Sequence, residues 1–149
     1  MRKEMQKGFT MAVLTVAFAL TAVVVSANAQ SNRVAAVVPF DFIVGSQTLK
    51  SGKYTLGSIT QDSEGLVIRG SEKSVIRLSR AIESNETQEQ ARLVFHRYGQ
   101  RYFLAEVWAG GNSTGRQLLE SREERATRRE FEKLARTGYE TVELLATAR

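Results

Sequence analysis

The sequence predicts a mainly β protein, an antiparallel sandwich or barrel-like sheet of about six to eight strands with one C-terminal α-helix. Three observations lead to this prediction. Apolar residues recur at every second position in several segments, and turn residues separate these segments at intervals of about ten residues. One later segment, which begins at Ser121, shows helical spacing instead.

Alternating apolar residues define the early strands. From Val34 to Val44 every second residue is apolar, and Pro39 interrupts the run. Because proline lacks an amide donor, the strand is expected to be bulged, divided or at a sheet edge there. Further strands are predicted at 54–59, 66–69 and 75–79. Residues 83–90 contain no apolar side chain and are predicted to form a solvated loop.

The clearest hairpin runs from Ala91 to Ala109 around a two-residue turn at Gly99-Gln100. The turn predicts three cross-strand pairs: Tyr98 with Arg101, Phe95 with Leu104, and His96 with Phe103. Strict alternation divides the other side chains between two faces. One face receives Leu93, Phe95, Leu104, Glu106 and Trp108, and the other receives Val94, His96, Phe103, Ala105 and Val107. Both faces are largely apolar, which predicts cover on both sides.

The C-terminal helix is expected to cover the second face. Ser121 and Glu124 form a capping box, in which the hydroxyl accepts the Glu124 amide while the carboxylate reaches back. The helix is predicted over about 122–137, with a C-terminal cap at Gly138. Residues 139–147 either return as a last strand or continue the helix, and the strand is favoured.

The first 29 residues have the features of a secretory signal peptide. A basic start precedes an uncharged apolar run, which ends at the small residues Ala27 and Ala29. The alternative is an uncleaved membrane anchor. Cleavage predicts an exported protein, periplasmic or extracellular, with no membrane span in the mature chain and one β-rich domain over 30–149.

Composition excludes several classes of chemistry. The chain contains no cysteine and one histidine, which excludes disulfides, thiol catalysis and zinc sites that need Cys or several His. No cofactor or metal is expected. The net charge of +5 includes three cations and one acid within residues 1–29. The small excess that remains after cleavage does not predict a nucleic-acid partner.

One motif is typical of hydrolases. Residues 111–115 read Gly-Asn-Ser-Thr-Gly, a literal match to the pattern that places a nucleophilic serine on a strained turn. Those enzymes require a histidine after the serine, and none follows Ser113. A loop is the favoured interpretation, and no catalytic residue is assigned.

Four residues of the hairpin are ligand-binding candidates: His96, Phe103, Glu106 and Trp108. His96 can act as a general base if Glu106 or Asp41 lies beside it. Glu106 stands among apolar neighbours, and Phe103 and Trp108 belong to an aromatic set that can stack on sugars. For each residue, a structural role in the core or at its rim is the alternative interpretation.

Several stretches together resemble a family of small, uncharacterised exported bacterial proteins. They include Val-Pro-Phe-Asp-Phe-Ile-Val-Gly at 38–45, Leu-Lys-Ser-Gly-Lys-Tyr-Thr-Leu at 49–56, and Leu-Val-Phe-His-Arg-Tyr-Gly at 93–99. The resemblance implies a signal peptide and a compact β-rich domain. It implies no activity, so it transfers no catalytic residue.

The leading hypothesis is an exported, non-enzymatic binding or envelope-associated protein, whose partner docks on a strand edge or on the helix. A second hypothesis is a carrier that holds a small apolar ligand between the sheet and the helix. A small hydrolase that uses Ser113, or His96 with Glu106, is the third. A cavity lined by Phe and Leu would favour the carrier, and a filled core would favour the interaction protein.

Overall fold

The computed structural model describes residues 33–60, 62–134 and 138–149. The predicted signal peptide, residues 1–29, lies outside the described residues. The extent of the predicted single domain therefore stays a prediction.

Most of the described chain forms β-strands, as predicted, with one helix near the C-terminus. In chain order the elements are β1 (Val34–Val38), β2 (Phe42–Val44), β3 (Gln47–Leu49), β4 (Gly52–Ser58), β5 (Gly65–Arg69), β6 (Ser74–Gln88), β7 (Arg92–Tyr98), β8 (Arg101–Trp108), β9 (Asn112–Leu118), α1 (Arg122–Lys133), β10 (Glu140–Leu145) and β11 (Thr147–Ala148).

The predicted strand count and the purely antiparallel arrangement were wrong. The described residues form eleven strands, and β2 pairs in parallel with β8 through Ile43 and Phe103. Strands β2, β3 and β11 are two or three residues long, too short to show a period of two. Pro39 divides β1 from β2, as the missing amide donor predicts.

Two segments change partner along their length. The hydrogen-bonded order is β10-β7-β8-β9-β6-β5-β4-β1-β11. Strand β6 pairs with β5 up to Leu78 and with β9 from Ser79 onwards. The C-terminal segment pairs with β7 up to Leu145 and with β1 from Thr147. No ladder joins β10 to β11 in the described chain, so the sheet is not closed by backbone pairing.

The main core lies between two parts of this sheet, one that contains β1, β4 and β5 and one that contains β2, β7 and β8. Strands β1, β4 and β5 contribute alternate residues such as Val34, Leu56 and Ile68, all at most 1% exposed. From the other part, Phe95 lies against Phe42, with ring centroids 5.5 Å apart. Alternation therefore identifies the buried face of these strands, because successive side chains of a strand point to opposite faces.

The hairpin of β7 and β8 has the predicted turn and pairs. Gly99 has φ of +63°, and Tyr98 pairs with Arg101, Phe95 with Leu104, and His96 with Phe103. The predicted division of faces was wrong from Glu106 onwards, because a bulge at Ala105 shifts the register. Val107 consequently joins the main core beside Leu104, and Glu106 and Trp108 lie on the opposite face.

The predicted loop at 83–90 was also wrong over most of its length. Strand β6 continues to Gln88 and pairs with β9 through Ile82–Gly115 and Glu83–Thr114. Its side chains there are exposed or half-buried. Backbone pairing with a neighbouring strand requires no apolar residue, so a segment solvated on both faces shows no alternation.

Helix α1 packs on the second face of the hairpin, as predicted. Phe131 lies edge-on to Tyr98, with ring centroids 5.7 Å apart, and joins a small buried cluster with Ile43 and Phe103. The last helical residue is Lys133, with Leu134 at the C-cap. The predicted end at 137 falls among residues 135–137, outside the described chain. The described helix is not long and apolar enough to cross a membrane.

Candidate binding groove beside the helix

A groove of about 340 Å³ opens between α1 and the outer face of β7, β8 and β9. Its walls come from strands β6, β7, β8 and β9, from the helix, from residues 119–120 before the helix and from Tyr139 just before β10. It is lined by Arg80, His96, Tyr98, Ala105, Gln117, Leu118, Leu119, Glu120, Glu124, Arg128 and Tyr139. We call this the α1 groove.

A histidine–carboxylate pair lies at the inner end of the groove. Nδ1 of His96 is 2.7 Å from Oε1 of Glu124, and the Glu124 side chain is only 8% exposed. An ionised carboxylate only accepts hydrogen bonds, so Nδ1–H is the donor in this contact. The hydrogen bond at Nδ1 fixes the orientation of the imidazole ring and leaves Nε2 as the other ring nitrogen.

Helix capping positions Glu124 for this contact. The Ser121 hydroxyl accepts the Glu124 amide at 3.1 Å, which confirms one half of the predicted capping box. The other half was wrong, because the Glu124 carboxylate is directed to His96 rather than back to Ser121. Glu124 is the third residue of α1 and faces the sheet, so its carboxylate bonds to His96 instead of to the Ser121 backbone.

Tyr98 adds a second polar group beside Glu124. Its hydroxyl donates to Oε1 at 3.5 Å, and the residue is 1% exposed. Burial, and then the neighbouring Glu124 carboxylate, raise the pKa of the Tyr98 phenol well above its ordinary range. The phenol therefore stays protonated and remains a donor at neutral pH.

Tyr139 forms one wall at the mouth of the groove. Its ring stacks on His96, with centroids 3.8 Å apart and an interplanar angle of 23°. Tyr139 is nevertheless 44% exposed, because nothing in the described chain covers its outer face. The stacked pair therefore presents an aromatic surface to solvent.

The charges along the rim are balanced. Arg128 lies 3.0 Å from Glu120, and Nε of Arg80 donates to Oε1 of Gln117 at 2.7 Å. With Glu124, the lining carries two arginines against two glutamates, besides His96. The groove consequently offers many donors and acceptors without a strong net charge.

Of the four ligand-binding candidates, only His96 lines this groove. Phe103 is 1% exposed and lies in the buried cluster beneath Tyr98. Glu106 and Trp108 lie further along the hairpin, where Trp108 Nε1 donates to Glu106 at 2.8 Å. The Trp108 ring also covers Gly115 so closely that a Cβ there would be 2.6 Å from it.

The residues of the hydrolase hypothesis are not brought together. His96 bonds to Glu124 and Glu106 bonds to Trp108, whereas Asp41 bonds to Lys50 and to the Ser51 amide. Ser113 is an exposed residue of β9 rather than part of a strand-to-helix turn. In the described chain, no hydrogen bond connects it to either His96 or Glu106.

Sequence reasoning missed Glu124, Arg128 and Tyr139. The local pattern assigned Glu124 to the helix cap, and this role does not require the sheet. One signal was present in the sequence: a histidine on the hairpin face predicted to lie under the helix needs a polar partner from that helix. Within the described residues, no three acidic or histidine side chains are grouped as a metal site would require.

Comparisons with family models, with curated proteins and with solved structures each found no match for this chain. The resemblance to small exported bacterial proteins therefore stays a prediction.

Proposed function

We propose that this protein is an exported, non-enzymatic binding protein that takes a small, uncharged, polyhydroxylated ligand, of saccharide type, in the α1 groove. Export and envelope association rest on the signal-peptide features of residues 1–29. The choice of ligand rests mainly on one observation, the half-exposed ring of Tyr139 stacked on His96.

An aromatic face beside planar polar groups suits a sugar. The apolar C–H face of a pyranose packs on an aromatic ring, while hydroxyl groups exchange hydrogen bonds with Arg, Glu and Gln side chains. Arg80, Gln117 and Glu120 lie along the rim of the same groove. The volume of about 340 Å³ is at the lower end of the range for small-molecule sites.

The apolar-carrier alternative receives less support. The space between the sheet and the helix is occupied by Tyr98, Phe103 and Phe131. The open volume beside it has charged and hydrogen-bonding groups, whose burial under an apolar ligand would cost free energy. No observation favours the hydrolase alternative.

Three probes test this proposal: N-acetylglucosamine, dodecanol and inorganic phosphate. Each is titrated into ¹⁵N-labelled protein while backbone amide shifts are recorded. We expect N-acetylglucosamine to shift the amides of His96, Gln117 and Glu124. Tyr139→Ala should weaken its binding about tenfold, since the stacking surface is lost.

Leu134→Ala is the matched control, because Leu134 is 63% exposed and does not line the groove. It should leave the titration unchanged. Shifts with dodecanol alone would favour the apolar carrier and contradict the saccharide proposal. Shifts with phosphate alone would contradict it as well.

A further inference from the structure

A second surface of the molecule differs from the α1 groove in charge and in shape. It is the outer face of β1, β4, β5 and β11, where an open groove of about 690 Å³ meets a smaller one of about 120 Å³. The two grooves share Thr55 and Arg69. We call this the basic face, and none of its lining residues belongs to the α1 groove.

The lining of the basic face includes cations and no acidic side chain. Lys53, Arg69 and Arg149 line the larger groove, and Arg33 lines the smaller one. All four are exposed. In the described chain, neither Lys53 nor Arg69 belongs to an ion pair. This charge pattern complements an anionic partner.

Two carboxylates near the basic face, those of Asp41 and Glu72, do not offset this charge. Asp41 is paired with Lys50 at 2.8 Å. Glu72 lines a neighbouring groove together with Lys53 and Lys73, so that cations outnumber the carboxylate there even without Lys50. The positive potential therefore extends past the edge of the basic face.

Exposed apolar side chains accompany the cations. Val37 is 61% exposed and is the cross-strand partner of Lys53. Leu145 is 70% exposed and lines the same groove. Single exposed apolar residues are common on protein surfaces, but two of them beside exposed cations match a lipid surface, which has charged headgroups over an apolar layer.

The cations of the basic face lie on several elements, with Lys53 on β4, Arg69 on β5, Arg33 just before β1 and Arg149 just after β11. Arg69 is paired across the strands with Thr55, whereas Lys53 is paired with Val37 two residues away on the adjoining strand pair. A single small anion would need converging donors. A surface that carries many anionic groups matches a distributed arrangement.

We propose that the basic face binds the surface of an anionic phospholipid bilayer, with Lys53, Arg69 and Arg33 near the headgroups and Val37 and Leu145 in the interfacial layer. The contact is peripheral and depends on both charge and apolar burial. It leaves the α1 groove open, so it is independent of the proposed saccharide binding.

The experiment uses co-sedimentation with vesicles of phosphatidylcholine mixed with phosphatidylglycerol, and vesicles of phosphatidylcholine alone. Protein is purified as its host exports it, and all variants share the same N-terminus. We expect binding to the mixed vesicles only. Lys53→Gln combined with Arg69→Gln should weaken it about 25-fold, roughly fivefold for each cation near the bilayer surface.

Arg125→Gln combined with Arg129→Gln is the matched control, since it removes the same charge from exposed positions on α1. It should reduce binding far less. An equal loss in both pairs would overturn the proposal, because net charge alone would then account for it. Circular dichroism confirms that each variant is folded.

A second pair of substitutions tests the apolar contribution and the nature of the partner. Val37→Ser combined with Leu145→Ser should weaken binding to the mixed vesicles and leave binding to soluble polyphosphate unchanged. Wild-type affinity of this variant for vesicles would overturn the proposal in favour of a soluble polyanion. Absence of binding to the mixed vesicles would also overturn it.

Discussion

At the scale of single residues, buried polar groups determine how the helix contacts the sheet. Glu124 is 6% exposed and His96 lies against it, so each satisfies a polar atom of the other. Tyr98 brings a protonated hydroxyl to the same carboxylate. These three residues join α1 to β7 through hydrogen bonds, while Phe131 joins them through apolar contact.

Because of Tyr98, the free energy of unfolding should decrease as the pH becomes alkaline. The phenol ionises near pH 10.0 in a model compound, and its pKa is raised in the folded protein. The stabilisation is therefore present below about pH 10 and is lost as pH rises toward the folded pKa. Tyr98→Phe should remove this loss, which amounts to at most about 1.4 kcal/mol per pH unit.

Urea denaturation at a series of pH values between neutral and about pH 11 measures this effect. The free energy of unfolding of Tyr98→Phe should fall less steeply with pH than that of the wild type. Val37→Ala serves as the control, because it changes an exposed side chain without removing a titratable group, and it should keep the wild-type slope. Identical slopes for Tyr98→Phe and wild type would contradict the assignment.

At the scale of elements, one inserted residue rearranges the hairpin. The bulge at Ala105 lets Leu104 and Val107 share the core face although they are three positions apart. Ala105 itself lines the α1 groove, on the face that simple alternation assigns to it. Simple alternation cannot locate such a bulge, because the apolar residues on both sides of it fit either face.

Helix α1 depends on its N-cap. Ser121→Ala should lower the free energy of unfolding by about 1 kcal/mol, since the Glu124 amide loses its acceptor. Ser121→Asp retains an acceptor at the positive end of the helix and should restore most of this loss. Urea denaturation of both variants measures the difference. Equal stability of the alanine variant and the wild type would contradict a role for this cap.

At the scale of the whole molecule, the C-terminal segment connects the two parts of the sheet. Its first part pairs with β7 and its last part with β1, and these strands lie near opposite ends of the hydrogen-bonded order. Between them, the Ala146 amide donates to the Ala91 carbonyl at 2.8 Å. Ala91 is 2% exposed, so this acceptor has little access to water.

Proline at position 146 should therefore be strongly destabilising. Ala146→Pro removes the amide and leaves the Ala91 carbonyl unsatisfied, at an expected cost of about 1–3 kcal/mol or more. Leu145→Ala is the neighbouring control and should change stability by less than about 0.5 kcal/mol, because its side chain is exposed. Thermal unfolding distinguishes the two variants. A proline variant as stable as wild type would show that this connection contributes little.

The sequence by itself determined the class of fold, the strand break at Pro39, the turn at Gly99 with its three pairs, and the start of the helix at Ser121. Each of these follows from interactions within a few residues: a missing amide, a positive φ, a side-chain cap. Of the α1 groove, the sequence predicted only that His96 is a candidate residue and that the helix covers its face of the hairpin.

Only the tertiary structure decided the partner of His96, the strand formed by 83–88, the faces of Glu106 and Trp108, and the cation-lined face of β1, β4 and β5. These features join residues far apart in the chain, and long-range backbone pairing has no local signature when both faces are solvated. Glu124 shows the reason most clearly. Its backbone amide bonds to the Ser121 cap, as the local pattern predicts. Its carboxylate is buried against the sheet, where an unpaired charge would be costly, and it therefore bonds to His96.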